Sequence, residues 1–173
     1  MIRRLRRFLR DRSGAATLEF CLAFPPVIYF LILGAETGLL QLRQAMMEHG
    51  MEIAVRELRL GNPAMTDPER LKDEICANSL MLSDCRANIT VETRPIDTAT
   101  WDVAGTGIAC RDSTAPINPV VSYATGGKNE LMLLRFCVTF RPVLPGAGLA
   151  AAMEKLPDGR YALTAATVFV NEP

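Results

Sequence analysis

Ser13-Gly-Ala-Ala-Thr-Leu-Glu-Phe-Cys-Leu-Ala-Phe-Pro-Pro-Val-Ile-Tyr-Phe-Leu-Ile-Leu-Gly-Ala-Glu36 is the stretch on which the architecture turns. From Phe20 to Ala35 it holds no charge. With softer ends at Ala15 and Leu42, a helix here runs 28 residues, about 42 Å at about 1.5 Å per residue. That length crosses a hydrocarbon core of about 30 Å and emerges from it. Two carboxylates, Glu19 and Glu36, stand near the ends of the run, where a plain membrane anchor rarely carries them.

Charge is distributed unevenly around this stretch. Residues 1–12 hold Arg3, Arg4, Arg6, Arg7, Arg10 and Arg12 against Asp11, a side-chain charge of +5 in a chain of formal net charge zero, so the remainder carries −5. The cationic end is therefore expected to stay in the cytoplasm while the rest crosses. An arginine-rich nucleic-acid arm is the less economical reading, because a basic tail beside a spanning segment already has a topological role. A cleaved secretory signal has an apolar core of only about 7–15 residues, and this run is longer. No clean twin-arginine signal is present.

Helical periodicity continues past Glu36. Leu39, Leu42, Met46 and Ile53 fall near one face and Leu40, Met47, Met51, Ala54 and Leu58 on a neighbouring one, with Gln41, Arg43, Gln44, Glu48, Glu52, Arg56 and Arg59 between them. Gly61-Asn62-Pro63 ends the helix. One helix of roughly 45 residues is expected, its first half in lipid and its second half packed on a domain through Met46, Met47 and Met51. The division is then a leader over 1–14, the long helix over 15–60 and an α+β domain over 61–173.

Within that domain, Thr66-Asp67-Pro68-Glu69 opens a second helix whose apolar side is Leu71, Ile75, Leu80 and Leu82. Ala87–Arg94 alternates as a half-buried strand and stops at Pro95. Residues 96–129 form a long loop with a short edge strand at Val120–Tyr123, and Trp101 is expected as a lid over the core, the alternative being an exposed contact with another subunit. Leu131–Val143 reads as the strongest strand and Tyr161–Val170 as the last, with a small-residue connector between them that turns Leu149 and Met153 inward. Strands that follow helices without alternating with them point to a small antiparallel sheet against the long helix.

Five cysteines separate into two groups. Cys21 lies in the apolar helix as a small buried thiol, and Leu18-Glu19-Phe20 before it is not a lipid-attachment signal. Cys76, Cys85, Cys110 and Cys137 fall beyond the membrane, where an even number favours disulfides. Three pairings are open; Cys76 with Cys85 and Cys110 with Cys137 is preferred because each closes a local loop. No Cys-x-x-Cys pair exists and His49 is the single histidine, so no metal or cofactor is expected. No nucleophile elbow, phosphate loop or His-Glu-x-x-His motif occurs, and Gly105-x-Gly107 reads as turn chemistry, so an enzyme is not expected. Gly34 and Gly38, four apart, share a helix face that lets another helix approach closely in lipid.

Gly14 followed by Ala15-Ala-Thr-Leu-Glu19-Phe20 is similar to the processing site of a class III prepilin. The longer pattern, Arg12 through Pro26 and then Leu33-Gly-Ala-Glu36-Thr-Gly38, resembles the TadE-like pseudopilins of the tight-adherence (Flp) pilus system of bacteria. It covers roughly Arg12 to Arg56 and does not reach beyond Gly61. Alanine at the mature start and phenylalanine where the pattern often has tyrosine are mild departures. The resemblance implies a pilin-like fold, cleavage after Gly14 by a prepilin peptidase, Ala15 as the new amino terminus, and Glu19 and Phe20 as assembly residues. It also implies a single-pass inner-membrane protein with a periplasmic domain, partnered by pilins or pseudopilins and a pilus assembly platform. No nucleic acid or small-molecule substrate is expected. The alternative is an unprocessed membrane-anchored periplasmic binding module. Glu36 is read separately, as a residue that marks where the helix leaves lipid.

Overall fold

The computed structural model describes residues 14–101, 107–115, 119, 121–143 and 152–172. Helix α1, Ala15–Arg59, is a single helix of 45 residues, as its periodicity predicts. It ends where Gly61 takes a φ of 68°, a left-handed conformation that glycine adopts without steric cost. The Gly61 amide donates to the Leu58 carbonyl at 3.0 Å, and Arg56 and Arg59 stand in the last turn, where the helix dipole favours cations. A short 3₁₀ turn, Pro63–Thr66, follows. Helix α2, Pro68–Asn78, is capped by Asp67, whose carboxylate accepts from the Glu69 amide at 2.9 Å.

Helix α2 stops before the expected Leu80. Leu82 is buried but Leu80 is 68% exposed, so the apolar side of this helix is shorter than its sequence suggests. Asp84 then takes a φ of 56° and starts a one-turn helix, α3, Cys85–Asn88. The Asn88 side-chain amide donates to the Asp84 carbonyl at 2.9 Å and closes that turn, so the strand expected from Ala87 begins at Ile89 instead. Strand β1 is Ile89–Pro95, β2 is Leu131–Phe140 and β3 is Tyr161–Val170.

The three strands form one antiparallel sheet in the order β1-β2-β3. Ile89 faces Val138 and Pro95 faces Met132 across the first pair; Leu131 faces Val170 and Phe140 faces Tyr161 across the second. The strand expected over Leu131–Val143 is thus the central one, and it stops at Phe140, two residues before Pro142. One face of β2, through Met132, Leu134, Phe136, Val138 and Phe140, joins Met47, Met51 and Ala54 of α1 and Leu71 and Ile75 of α2 in the core.

Helix α1 and strand β3 run in the same sense. Near Glu36, Leu39 and Leu40 lie Phe140, Pro142, Val143, Met153 and Tyr161, while at the far end Arg59 pairs with Glu172 at 3.0 Å. Leu39 to Arg59 is about 30 Å of helix, and Tyr161 to Val170 is about 30 Å of strand. The sheet therefore has one end beside the start of the helix's packed half and one end beside its terminus.

Gly50 sets how closely α1 and α2 approach. A Cβ there would lie 2.7 Å from the Ile75 carbonyl oxygen and against the Ser79 hydroxyl. Alanine is the better helix former by about 1 kcal/mol, whereas overpacking costs about 1–3 kcal/mol. The obstacle is helix backbone, which cannot swing aside. Gly50→Ala should therefore lower stability by up to about 2 kcal/mol, measured by urea unfolding of the full chain in micelles; a raised midpoint would show that the helices can separate without loss.

The long loop is held at several points. Cys110 bonds to Cys137 of β2, Arg111 donates to the Ala87 carbonyl at 2.7 Å, and Thr93 forms an isolated bridge with Tyr123. The expected edge strand reduces to that bridge among the described residues; Val120 lies outside them, as do Gly105, Leu149 and the leader through Ser13. Burial, and secondarily Asp67, pushes the Tyr123 phenol up to about 12, so it stays protonated and donates to the Met65 carbonyl. Trp101 is not a lid: it is 62% exposed.

Candidate functional site on the long helix

The helix begins directly after Gly14, which offers no side-chain cap but whose carbonyl accepts from the Leu18 amide at 3.1 Å. Gly14 and Ala15 thus sit at the start of the helix. Glu19 is four residues beyond Ala15, on the same helix face and one turn away. It is exposed, and among the described residues no cation pairs with it.

Around Glu19 the helix is apolar on all sides and uncovered. Leu18, Phe20, Leu22, Phe30 and Leu31 are each more than 60% exposed, and none of the most apolar 18-residue window is buried within the chain. The segment is a candidate membrane span by length and composition. Phe20 stacks on Phe24 with centroids 5.0 Å apart, an i, i+4 pair on the helix surface. Cys21 is exposed on this segment, so the expected burial is not supplied by the chain itself.

Pro25 and Pro26 lie inside the continuous helix. Neither has an amide hydrogen, so the carbonyls of Cys21 and Leu22 lose their ordinary partners. Gly34 and Gly38 face open space: no atom lies within 4 Å of a Cβ built on either. Between them the Thr37 hydroxyl donates back to the Leu33 carbonyl at 2.8 Å, which keeps its polar group inside the helix. Glu36 lines the groove formed with Leu39, Leu40, Phe140 and Val143, where the apolar half meets the domain.

The domain is fastened by two disulfides, Cys76–Cys85 and Cys110–Cys137, which are the locally closed pairings preferred from spacing. A polar network that spacing did not signal ties the loop to the sheet. Asp158 accepts from the Ser113 amide at 3.1 Å and the Ser113 hydroxyl at 2.7 Å, and from the Arg160 amide at 3.0 Å. Arg160 in turn donates to the Asn88 side chain. Glu92 and Arg135 face each other across β1 and β2 and pair at 2.6 Å with most of both side chains buried. Among the described residues no three His, Cys, Asp or Glu side chains converge as metal ligands.

Burial raises the Asp158 carboxyl, but the bonds from Ser113 and Arg160 outweigh it and hold the group below the ordinary aspartate range. A carboxyl depressed by folding stabilises fully above its unfolded value, about 3.9, and loses that contribution as pH falls through the folded value. Thermal melts between about pH 2 and 6 should show Asp158→Asn with a shallower acid slope than the parent chain. An unchanged slope would remove Asp158 from the acid response.

No family model, curated protein or solved structure matches this chain.

Proposed function

We propose that this chain is a minor pseudopilin of a tight-adherence (Flp) pilus, processed after Gly14 and working by packing its membrane helix against other subunits. The observation that carries the reading is Glu19, an exposed carboxylate with no cation paired to it among the described residues, in an apolar helix segment left uncovered by the chain and one turn from Ala15. The sequence pattern from Arg12 to Gly38 supplies the family; the geometry supplies a reason for the pattern. Cleavage after Gly14 leaves an ammonium at Ala15, at the helix end where the dipole disfavours positive charge. A carboxylate four residues on offsets that charge, within the same chain or from a neighbour. In hydrocarbon the pairing is worth far more than in water, because an isolated charge there is costly.

The remaining parts follow the same logic. The basic leader stays in the cytoplasm, the helix spans the bacterial inner membrane, and the domain with its disulfides lies in the periplasm, where such bonds persist. Gly34 and Gly38 present a bare face to a neighbouring helix, and the carbonyls freed by Pro25 and Pro26 are groups that neighbours can satisfy. Co-expression with a prepilin peptidase tests the reading. Intact mass should show a chain that starts at Ala15. Retention of residues 1–14 would leave an anchored domain and remove the pseudopilin assignment.

A further inference from the structure

We propose that the domain does not project freely from its helix but rests on the bilayer, with Val143 and Leu42 in the phospholipid headgroup layer. This inference rests on the membrane-spanning reading of α1 and adds a second, separate contact to it.

Height along the helix fixes the geometry. About 20 helical residues cross a core of about 30 Å. Counted from Glu19, they bring the far boundary to within a turn of Glu36. Glu36 and Val143 line the same groove, so the turn that follows β2 stands level with that boundary. Val143 is 59% exposed there and Leu42 is 41% exposed, and neither is spent on the core. Both are apolar groups held where lipid begins.

The polar residues at this end have the form that interfaces favour. The Arg43 guanidinium lies 4.8 Å from the centre of the Phe140 ring and the Lys155 ammonium 6.0 Å from that of Tyr161, so cationic heads and aromatic rings are held together at the end of the domain nearest that boundary. Arg141 is exposed beside them. Glu36, Glu154 and Asp84 stand at the same end, so positive charge does not dominate. The surface therefore fits the headgroup layer of a zwitterionic phospholipid, without selection for anionic lipid.

The test uses the full chain in phosphatidylcholine nanodiscs, with Cys21→Ala so that one introduced thiol carries a fluorophore. Labels at Val143→Cys and, separately, Leu42→Cys should be quenched several-fold more by headgroup spin-labelled lipid than a label at Lys128→Cys, on the far end of the sheet. A label at Phe30→Cys reports the span through lipid spin-labelled in mid-chain. If Phe30 is quenched but Val143 and Leu42 match Lys128, the resting contact is overturned and the span survives. If Phe30 is not quenched, the span and this contact fall together.

Discussion

Chains in which Cys110 and Cys137 are both replaced by alanine should unfold at markedly lower denaturant than the parent. Cys137 lies fully buried in the middle of the central strand, and its bond to Cys110 closes a separation of 27 residues. Loop-closure entropy for that length is about 3.5 kcal/mol at 25 °C, whereas the separation of 9 between Cys76 and Cys85 corresponds to about 2.5 kcal/mol. Against a domain stability of about 5–15 kcal/mol, the larger loss is a substantial fraction. Alanine is the right replacement, since serine would bury a second unpaired hydroxyl beside Thr139, whose own is buried and without a partner among the described residues. Urea unfolding of the full chain in micelles should rank the double variants in this order, and a reducing agent should move the parent toward the Cys110/Cys137 variant. A loss below about 1 kcal/mol would mean that Arg111, Ser113 and Tyr123 already hold the loop without the disulfide.

How much of this was legible in the sequence differs by element, for physical reasons. Helix α1 was legible along its whole length, because a period near 3.6 and a glycine-proline stop are local signals. Strand β3 was legible to the residue, since its run of small and β-branched residues follows the Asp158-Gly159 turn. The start of β1 was not. Ala87-Asn88 alternates acceptably with the strand, but the Cys76–Cys85 bond and the Asn88 amide's hydrogen bond to Asp84 tighten those residues into a turn. Leu80 and Trp101 failed for another reason: an apolar side chain reports a preference for burial, while the available space depends on chain segments far away. Gly50 carried no sequence signal beyond a glycine inside a helix. Its meaning comes from Ile75 and Ser79 across the interface. On the candidate site, the placement of Gly14, Glu19, Gly34 and Gly38 along one helix was legible, because it is set by spacing alone. The Asp158, Arg160 and Asn88 network joins three distant segments, so no spacing rule could reveal it.

Glu19→Ala should leave cleavage after Gly14 intact and collapse assembly. Under the proposed function the peptidase acts at the helix start, so loss of a side chain one turn further in leaves the scissile bond and its leader unchanged. Assembly under that proposal differs, because it asks the new ammonium of Ala15 to stay in or near hydrocarbon. Breaking a buried pair by removing one partner costs about 3–5 kcal/mol, since the other charge is left uncompensated. At about 1.4 kcal/mol per factor of ten, subunit association falls by about 100-fold or more. Glu19→Asp keeps the charge on a shorter stem and should recover part of the loss, whereas Glu19→Gln keeps the shape and should not. Phe20→Ala gives the contrast. Its ring is 62% exposed and stacks on Phe24 within the same helix, so its loss removes dispersion contacts but strands no charge, and assembly should fall far less than for Glu19→Ala. The readout is pilus protein in sheared fractions beside processed subunit in membranes. Equal pilus output from Glu19→Ala and parent would show that the carboxylate merely reaches for the interface, and the ion-pair role would be lost while the processing site stands.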